Sequence, residues 1–350
     1  MTKFSFLDDY SEGAHPRILQ ALAQTNLVQQ TAYGNDSYSQ EARDLLKAHM
    51  GNVNPDIWFV ASGTLVNVLC IASALRPHEA VIAPASGHIV QRETGAIEAT
   101  GHKIITVPPE NGKLTPASIQ AALDANIHFP HMAKPRLVYV SNATETGTVY
   151  TKTELTAISD LCRARGLLLL VDGARLGAAL AAPKSDLTLA DIAELSDMFW
   201  IGGTKVGALL GEAIIISNPD LRADFDFHIK QRGALLAKGR ILGLQFRELF
   251  RDGLFFDLSK HANAMAQTLS DGLKALGISF LADTESNQLF PILPNSLIES
   301  LKPDYGFFVW EPFDEERSVT RFVTSWATEK DQIHAFLSTA EALLDNPPNS

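Results

Sequence analysis

The chain holds only two cysteines in 350 residues, Cys70 and Cys162, both set among apolar neighbours. A disulfide-stapled secreted scaffold needs more of them at a recognisable spacing, so a reducing compartment is expected. Positive charge is also short: 29 Lys and Arg stand against 40 Asp and Glu, a formal charge of −11. Binding nucleic acid or an anionic membrane surface draws on clustered basic residues that displace counterions, and no basic tail or stripe stands out. Nor does any stretch approach the roughly 18 uninterrupted apolar residues of a membrane span. The opening Met1-Thr-Lys-Phe-Ser-Phe-Leu-Asp-Asp9 puts paired acids where a signal peptide carries its apolar segment, so a soluble, cytoplasmic protein is expected. No Gly-x-Gly-x-x-Gly follows an early strand-like run, which speaks against a nicotinamide-binding domain. No repeat or low-complexity tract stands out, and only Asn346-Pro-Pro-Asn-Ser350 reads as a frayed end.

What is present is a well-mixed composition, 46% hydrophobic, in a chain long enough for a large core or for two domains sharing one. Short apolar runs at residues 56–60, 79–83, 102–107, 136–140, 167–171, 198–201 and 212–216 read as strands bounded by turn residues. Helical patterns at 65–75, 115–125 and 153–165 lie between them. That alternation predicts an α/β domain with a mostly parallel sheet covered on both faces. Beyond about residue 220 the rhythm changes to long helices at 232–250 and 257–276, strand-like runs at 277–281, 287–293, 307–310 and 318–324, and a last helix at 330–344. The expectation is an N-terminal arm (1–20), a large domain (21–250) and a smaller α+β C-terminal domain with an antiparallel sheet (251–350).

Ligands of α/β sheets collect at the carboxyl ends of parallel strands, so the polar residues just after strand-like runs are the candidates. Ala61-Ser62-Gly63-Thr64 opens a helix, where free backbone N–H groups suit a phosphate; Ser62 or Thr64 could instead simply cap it. His88 comes next, a structural or a functional histidine, with Glu93 five residues on to orient the imidazole. Ser141-Asn142-Ala-Thr144 supplies a polar turn that says nothing alone. Asp172, after five aliphatic residues, needs a cationic partner, either Arg175 or the ring nitrogen of a bound cation. Lys205, preceded by Phe-Trp-Ile-Gly-Gly-Thr, is expected to be partly desolvated and hence a better nucleophile toward an aldehyde. Each feature is common. Their order, ending 33 residues after Asp172 at a glycine-flanked lysine, matches what pyridoxal phosphate asks of a protein: a phosphate cradle, a ring-stacking residue, a carboxylate on the pyridine nitrogen and a Schiff-base lysine.

At these residues the chain resembles the aspartate-aminotransferase-like, fold type I, pyridoxal-phosphate enzymes, and within them the low-specificity L-threonine aldolases of the β-eliminating lyase group. The resemblance spans nearly the whole chain. It runs from Phe6-Leu-Asp-Asp-Tyr-Ser-Glu-Gly-Ala-His15-Pro16 through Tyr33-Gly34-Asn35-Asp36, Ser62-Gly63-Thr64-Leu-Val-Asn67, Asn142-Ala-Thr-Glu-Thr-Gly147, Asp172-Gly-Ala-Arg175 and Gly203-Thr-Lys205 to Thr320-Arg321-Phe-Val-Thr324. It implies that Lys205 carries the cofactor, Asp172 pairs with the pyridine nitrogen, and His88 stacks on the ring or moves a proton. It further implies Gly63 and Thr64 at the phosphate, Arg175 and Arg321 at the substrate carboxylate, and Asn142 or Thr144 near the pyridine hydroxyl or the substrate. Lys238 and Arg240, on the helix after Gly233, correspond to a basic pair near the phosphate that a neighbouring subunit often contributes. A homodimer or homotetramer is implied with it.

Two departures touch substrate scope: Asp8 stands where many members have Ser, and Thr144 lies where many have His. The activity implied is retro-aldol cleavage of threonine, allo-threonine and related β-hydroxy-α-amino acids to glycine and an aldehyde, with His88 as candidate base. β-Elimination or transamination on the same fold, and a binding protein without catalysis, are the alternatives. A metal site is not expected, because Pro130 interrupts the helical spacing of His128 and His131 and no further ligand cluster accompanies them.

Overall fold

A computed structural model describes residues 4–345; the Asn346–Ser350 segment lies outside the described residues. Its centre is a seven-stranded sheet ordered Asp56–Val60, Glu212–Ile216, Met198–Gly202, Leu168–Asp172, Lys134–Ser141, Glu79–Pro84 and Lys103–Val107. Neighbours run parallel except Glu212–Ile216, which is antiparallel to the strands on both its sides. Every residue of Leu168–Asp172 and Met198–Gly202 is buried. The strand period of two explains how: Leu169 and Val171 enter one apolar cluster, Leu168 and Leu170 the cluster on the opposite face. Each such side chain contributes about 1.5–3 kcal/mol of burial, so strands of this composition are stable only with helices over both faces.

Those helices carry local start and stop signals. Lys152–Arg165 opens with a reciprocal Thr151/Glu154 capping box and closes at Gly166, whose φ of +62° is left-handed. Ser37–Lys47, which the apolar pattern did not announce, is capped by Asp36, whose Oδ1 accepts the Ser39 N–H at 2.8 Å. Pro16–Thr25 and Asn295–Leu301 are two further helices outside the runs read from the sequence.

The smaller body is an antiparallel sheet ordered Gln288–Leu289, Arg317–Val323, Pro291–Pro294 and Ser279–Phe280, with Phe308–Pro312 also pairing to Arg317–Val323. It packs on the helices Leu254–Ala275 and Lys330–Asp345 around Leu269, Phe322 and Phe336. The start of the chain joins it: Phe4–Ser5 pairs in parallel with Tyr305–Gly306, and Phe6 is fully buried in the same core.

Two expected elements differ. Of the helix read at 232–250 only Arg240–Phe250 forms; residues 232–239 are turn and loop, and a separate helix, Phe225–Gln231, precedes them. Gly233 turns left-handed between the two helices, and Gly239 approaches Gly34 so closely that a Cβ would lie 2.6 Å from its nitrogen. Lys238 therefore precedes the helix rather than riding on it. The run at 287–293 breaks at Phe290 because its two halves pair with different partners: Gln288–Leu289 with Phe322 and Val323, and Pro291–Pro294 with residues 317–319 and 279–280.

At the carboxyl edge of the large sheet two loops cross at backbone contact distance. Gly202 N–H donates to the Gly173 carbonyl at 2.9 Å. A Cβ on Gly173 would sit 1.8 Å from the Trp200 carbonyl oxygen, and one on Gly202 would sit 2.3 Å from that of Ala174. Both positions accept only glycine, because it is backbone that would have to yield. Gly173→Ala is expected to lower unfolding stability by about 3 kcal/mol in urea titration; a loss under about 1 kcal/mol would show that the crossing relaxes.

Candidate active site

Beyond that crossing lies a cavity of about 340 Å³ whose lining includes Thr64, His88, Asp172, Trp200, Lys205 and Glu212. Hollows of about 400 and 590 Å³ lie elsewhere, around Arg43 and around Lys113, without a comparable set of side chains.

Lys205 sits in the turn Thr204–Val206 that follows Met198–Gly202. Glu212, in register with Gly202 on the antiparallel neighbour, accepts the Gly203 N–H and the Thr204 hydroxyl, each at 2.8 Å. The turn is thereby pinned, and Lys205 with it. Burial, then repulsion from Arg175, holds the Lys205 amine well below the usual lysine range, while Asp9, Asp172 and Glu212 act in the other direction. Burial likewise pushes the Glu212 carboxyl up, against the bonds from Thr204 and Gly203.

Asp172 is 3% exposed at the end of its aliphatic strand. Its partner is not Arg175. Oδ2 accepts from the Tyr139 hydroxyl at 2.6 Å and from Asn67 Nδ2 at 3.1 Å, and Oδ1 accepts the Ala174 N–H at 2.9 Å. Burial and Asp172 raise the Tyr139 hydroxyl well above its usual value, so it stays a donor. Asn67 Nδ2 also donates to Glu93 Oε1 at 2.8 Å, and the same oxygen meets His88 Nδ1 at 2.8 Å. One continuous chain of contacts thus links Tyr139, Asp172, Asn67, Glu93 and His88, as the Glu93 spacing anticipated for its last step.

Gly63 and Thr64 open the helix Gly63–Ala74. Ser62 occupies the cap position but makes no side-chain capping bond, so the first-turn N–H groups receive nothing from it. Asn142 accepts the Tyr150 N–H on Oδ1 at 3.1 Å while its buried Nδ2 has no partner. The Thr144 hydroxyl is engaged with that of Thr148 at 2.7 Å.

Arg175 makes two bonds to Asp9, Nε to Oδ2 at 2.7 Å and Nη2 to Oδ1 at 3.0 Å. Burial raises the Asp9 carboxyl, but Arg175, Lys205 and the Asn287 amide outweigh it and the net displacement is downward. Arg321 donates from Nε to Gln288 at 3.2 Å, and burial followed by Arg175 lowers it to about 10. Asp8 Oδ1 accepts from the Tyr10 N–H at 3.2 Å and from the Ser11 hydroxyl at 2.8 Å. Arg240 bonds the carbonyls of Val28 and Thr25, and within one chain it does not reach the cavity. His128 and His131 lie in an exposed turn, and no group of three His, Cys, Asp or Glu among the described residues could hold a metal ion.

Asp9, Tyr139 and Glu212 had no role in the sequence reading, and Asn67 only a place in a motif. A signal existed for two of them. Asn67 is four residues after Gly63, one helical turn from the Gly63–Thr64 helix start. Tyr139 stands in register with Leu170, two residues before Asp172, so its side chain leaves the same sheet face as the carboxylate. Glu212 and Asp9 come from chain segments whose placement only the fold reveals.

The sheet and its cavity define an aspartate-aminotransferase-like, fold type I, enzyme. An alanine–glyoxylate aminotransferase structure from Nostoc sp. shares the fold with a TM-score of 0.71 at 17% identity, over 98% of this chain and 95% of that one. Residues 7–295 match the β-eliminating lyase family, and the chain belongs to it. It is 33% identical over 349 residues to a low specificity L-threonine aldolase of Pseudomonas sp., 97% of each chain being covered. A solved threonine aldolase structure from Leishmania major is 49% identical, with a TM-score of 0.96 over 97% of this chain and 99% of that one.

The neutral amine is the nucleophilic form, so a depressed Lys205 value raises its reactive fraction at any given pH. Reductive methylation of the cofactor-free protein, followed by peptide mass spectrometry, should show Lys205 reaching its half-maximal rate well below pH 10.5, the ordinary lysine value, while surface lysines lag. Lys205 tracking the surface lysines would contradict the desolvation argument.

Proposed function

We propose that this enzyme is a pyridoxal-5'-phosphate-dependent aldehyde-lyase that cleaves threonine, allo-threonine and related β-hydroxy-α-amino acids to glycine and an aldehyde. The observation that carries the reading is the convergence of Lys205, Asp172 and an uncapped helix start on one cavity of about 340 Å³. The residues fit the cofactor. Lys205 would hold its aldehyde carbon, Asp172 its ring nitrogen and the Gly63–Thr64 turn its phosphate, while Asn142, whose N–H donates to the Asp172 carbonyl at 2.9 Å, keeps a buried Nδ2 without a partner. When bound, the cofactor supplies an electron sink for the pair left on Cα as the Cα–Cβ bond breaks.

The chain's own residues supply the rest. Asn67 and Tyr139 hold Asp172 in place by donating to its Oδ2, and so favour a protonated ring nitrogen opposite it. Arg321, whose side-chain bond is to a neutral amide, presents an unbalanced guanidinium to the substrate carboxylate, with Arg175 beside it. Glu93 fixes the His88 ring through Nδ1, which leaves Nε2 as the acceptor for the β-hydroxyl proton. The closeness to threonine aldolases favours this reaction over β-elimination or transamination.

The reading extends to a homodimer or homotetramer and to the cytoplasm. Leu27, 92% exposed, and Phe227, 73% exposed, support burial against a second copy. Cys70 and Cys162, both free and buried, support a reducing compartment.

Aldehyde release from L-allo-threonine, coupled to an alcohol dehydrogenase, tests the assignments. Lys205→Ala should abolish turnover, and retained turnover would refute it. His88→Asn should lower kcat roughly 10²- to 10⁴-fold with KM little changed; a normal kcat would remove the proton-transfer role and leave stacking. Asp172→Asn should cost at least about 100-fold in kcat without loss of folding by circular dichroism.

A further inference from the structure

Arg92 follows His88 by four residues, and its N–H donates to the His88 carbonyl at 2.9 Å, so both side chains leave one face of the short turn His88–Gln91. Its exposed side chain makes no hydrogen bond or ion pair among the described residues. It lies instead against an aromatic ring, with its guanidinium carbon 5.5 Å from the centre of Trp310. The Arg321 guanidinium lies 5.8 Å from that same centre and 5.7 Å from that of Phe308. Trp310 is seated in turn by an edge-to-face contact with Phe290 at 5.5 Å. One tryptophan of the small body therefore shelves two arginines, one from each side of the cleft.

Positive charge gathers here, since Arg92 and Arg321 share the Trp310 ring and Arg321 feels both Arg175 and Arg92 as repulsive neighbours. The carboxylate bonded within the group is Asp9, and Arg175 takes it with two hydrogen bonds. A substrate α-carboxylate brings one negative charge to Arg321, which leaves the Arg92 charge unmatched. With His88 serving the β-hydroxyl, the nearest unpaired cation on the His88 turn is Arg92, one turn on and on the same face.

Resting on the aldolase reading above, we propose that Arg92, shelved on Trp310, receives a second acid group on the substrate's Cβ, and that the preferred substrates are β-hydroxy-α-amino dicarboxylic acids such as 3-hydroxyaspartate. The reaction balances as it does for threonine. The β-hydroxyl proton leaves its oxygen as the Cα–Cβ bond breaks, that bond's electron pair remains on Cα, a proton returns there to give glycine, and Cβ departs as an aldehydic acid.

The test measures glycine formation by the holoenzyme from the L-threo and L-erythro isomers of 3-hydroxyaspartate and from L-allo-threonine. The better dicarboxylic isomer should exceed allo-threonine in kcat/KM by about tenfold or more, the scale of one charge-assisted contact. Arg92→Gln should reduce that ratio by about tenfold, with Arg92→Lys retaining part of it and Arg92→Glu reversing it. Trp310→Leu should lower the ratio, with Trp310→Phe restoring most of it. Independently of turnover, aspartate should raise the melting temperature more than alanine does in the wild type, and Arg92→Gln should erase the difference. A wild-type preference for allo-threonine, or a ratio unmoved by Arg92→Gln, would overturn the proposal while leaving the aldolase reading intact. Glycine from none of the three compounds would overturn both.

Discussion

A carboxylate buried at the end of a strand of four aliphatic residues is the constraint from which the site follows. Asp172 is buried at the end of its strand, so the hydrogen-bond donors that solvent would supply must come from the protein. Three do, and each reaches outward: Ala174 N–H shapes the loop toward Arg175, Tyr139 ties in the adjacent strand, and Asn67 passes the connection to Glu93 and so to His88. A group that was only needed to satisfy one acid therefore orients the imidazole on the far wall of the cavity. The close loop crossing at Gly173 and Gly202 acts in the same direction, because it brings the Asp172 and Lys205 loops within one hydrogen bond of each other.

A second acid, Glu212, does for Lys205 what Asn67 and Tyr139 do for Asp172. It belongs to the single strand that runs against the others, and that reversal is what sets its carboxylate beside the Gly203–Thr204 turn. A parallel strand at this place would bring its carboxyl end here instead. The third ingredient comes from the small body, which supplies Arg321 and the aromatic shelf of Phe308 and Trp310. The N-terminal segment joins that body by strand pairing and delivers Asp9 to Arg175 on the way. Arg321 there meets Arg175 and Arg92 as repulsive neighbours, so positive charge accumulates on this side of the cavity.

Much of this was legible in the residues. The short continuous apolar runs located all seven strands of the large sheet to within a few residues, because strands buried on both faces can be built from little else. Helices lying between strand-like runs were visible, whereas Ser37–Lys47, capped by Asp36 and packed on Arg240–Phe250, was not read although its buried Ser39, Ala42 and Leu46 recur at helical spacing. The run at 232–250 misled because its apolar residues begin at Ala234–Leu236, which form loop between the left-handed Gly233 and the helix Arg240–Phe250. Among the chemical residues, Lys205, Asp172 and His88 announced themselves by their place after strands and turns.

By itself, then, the order of residues determined the kinds of element, the carboxyl-edge candidates and the chemistry they could share, since period, turn residues and side-chain type are local properties. Which groups complete one another was decided only by the tertiary structure. Arg175 is three residues from Asp172 yet bonds Asp9, Tyr139 crosses from the next strand to Asp172, and Arg92 and Arg321 find one tryptophan. The physical reason is that desolvation falls on a group according to where it is buried, and the partners that offset it are whichever groups the packing of strands and helices brings within hydrogen-bond reach, however far away they stand in the chain.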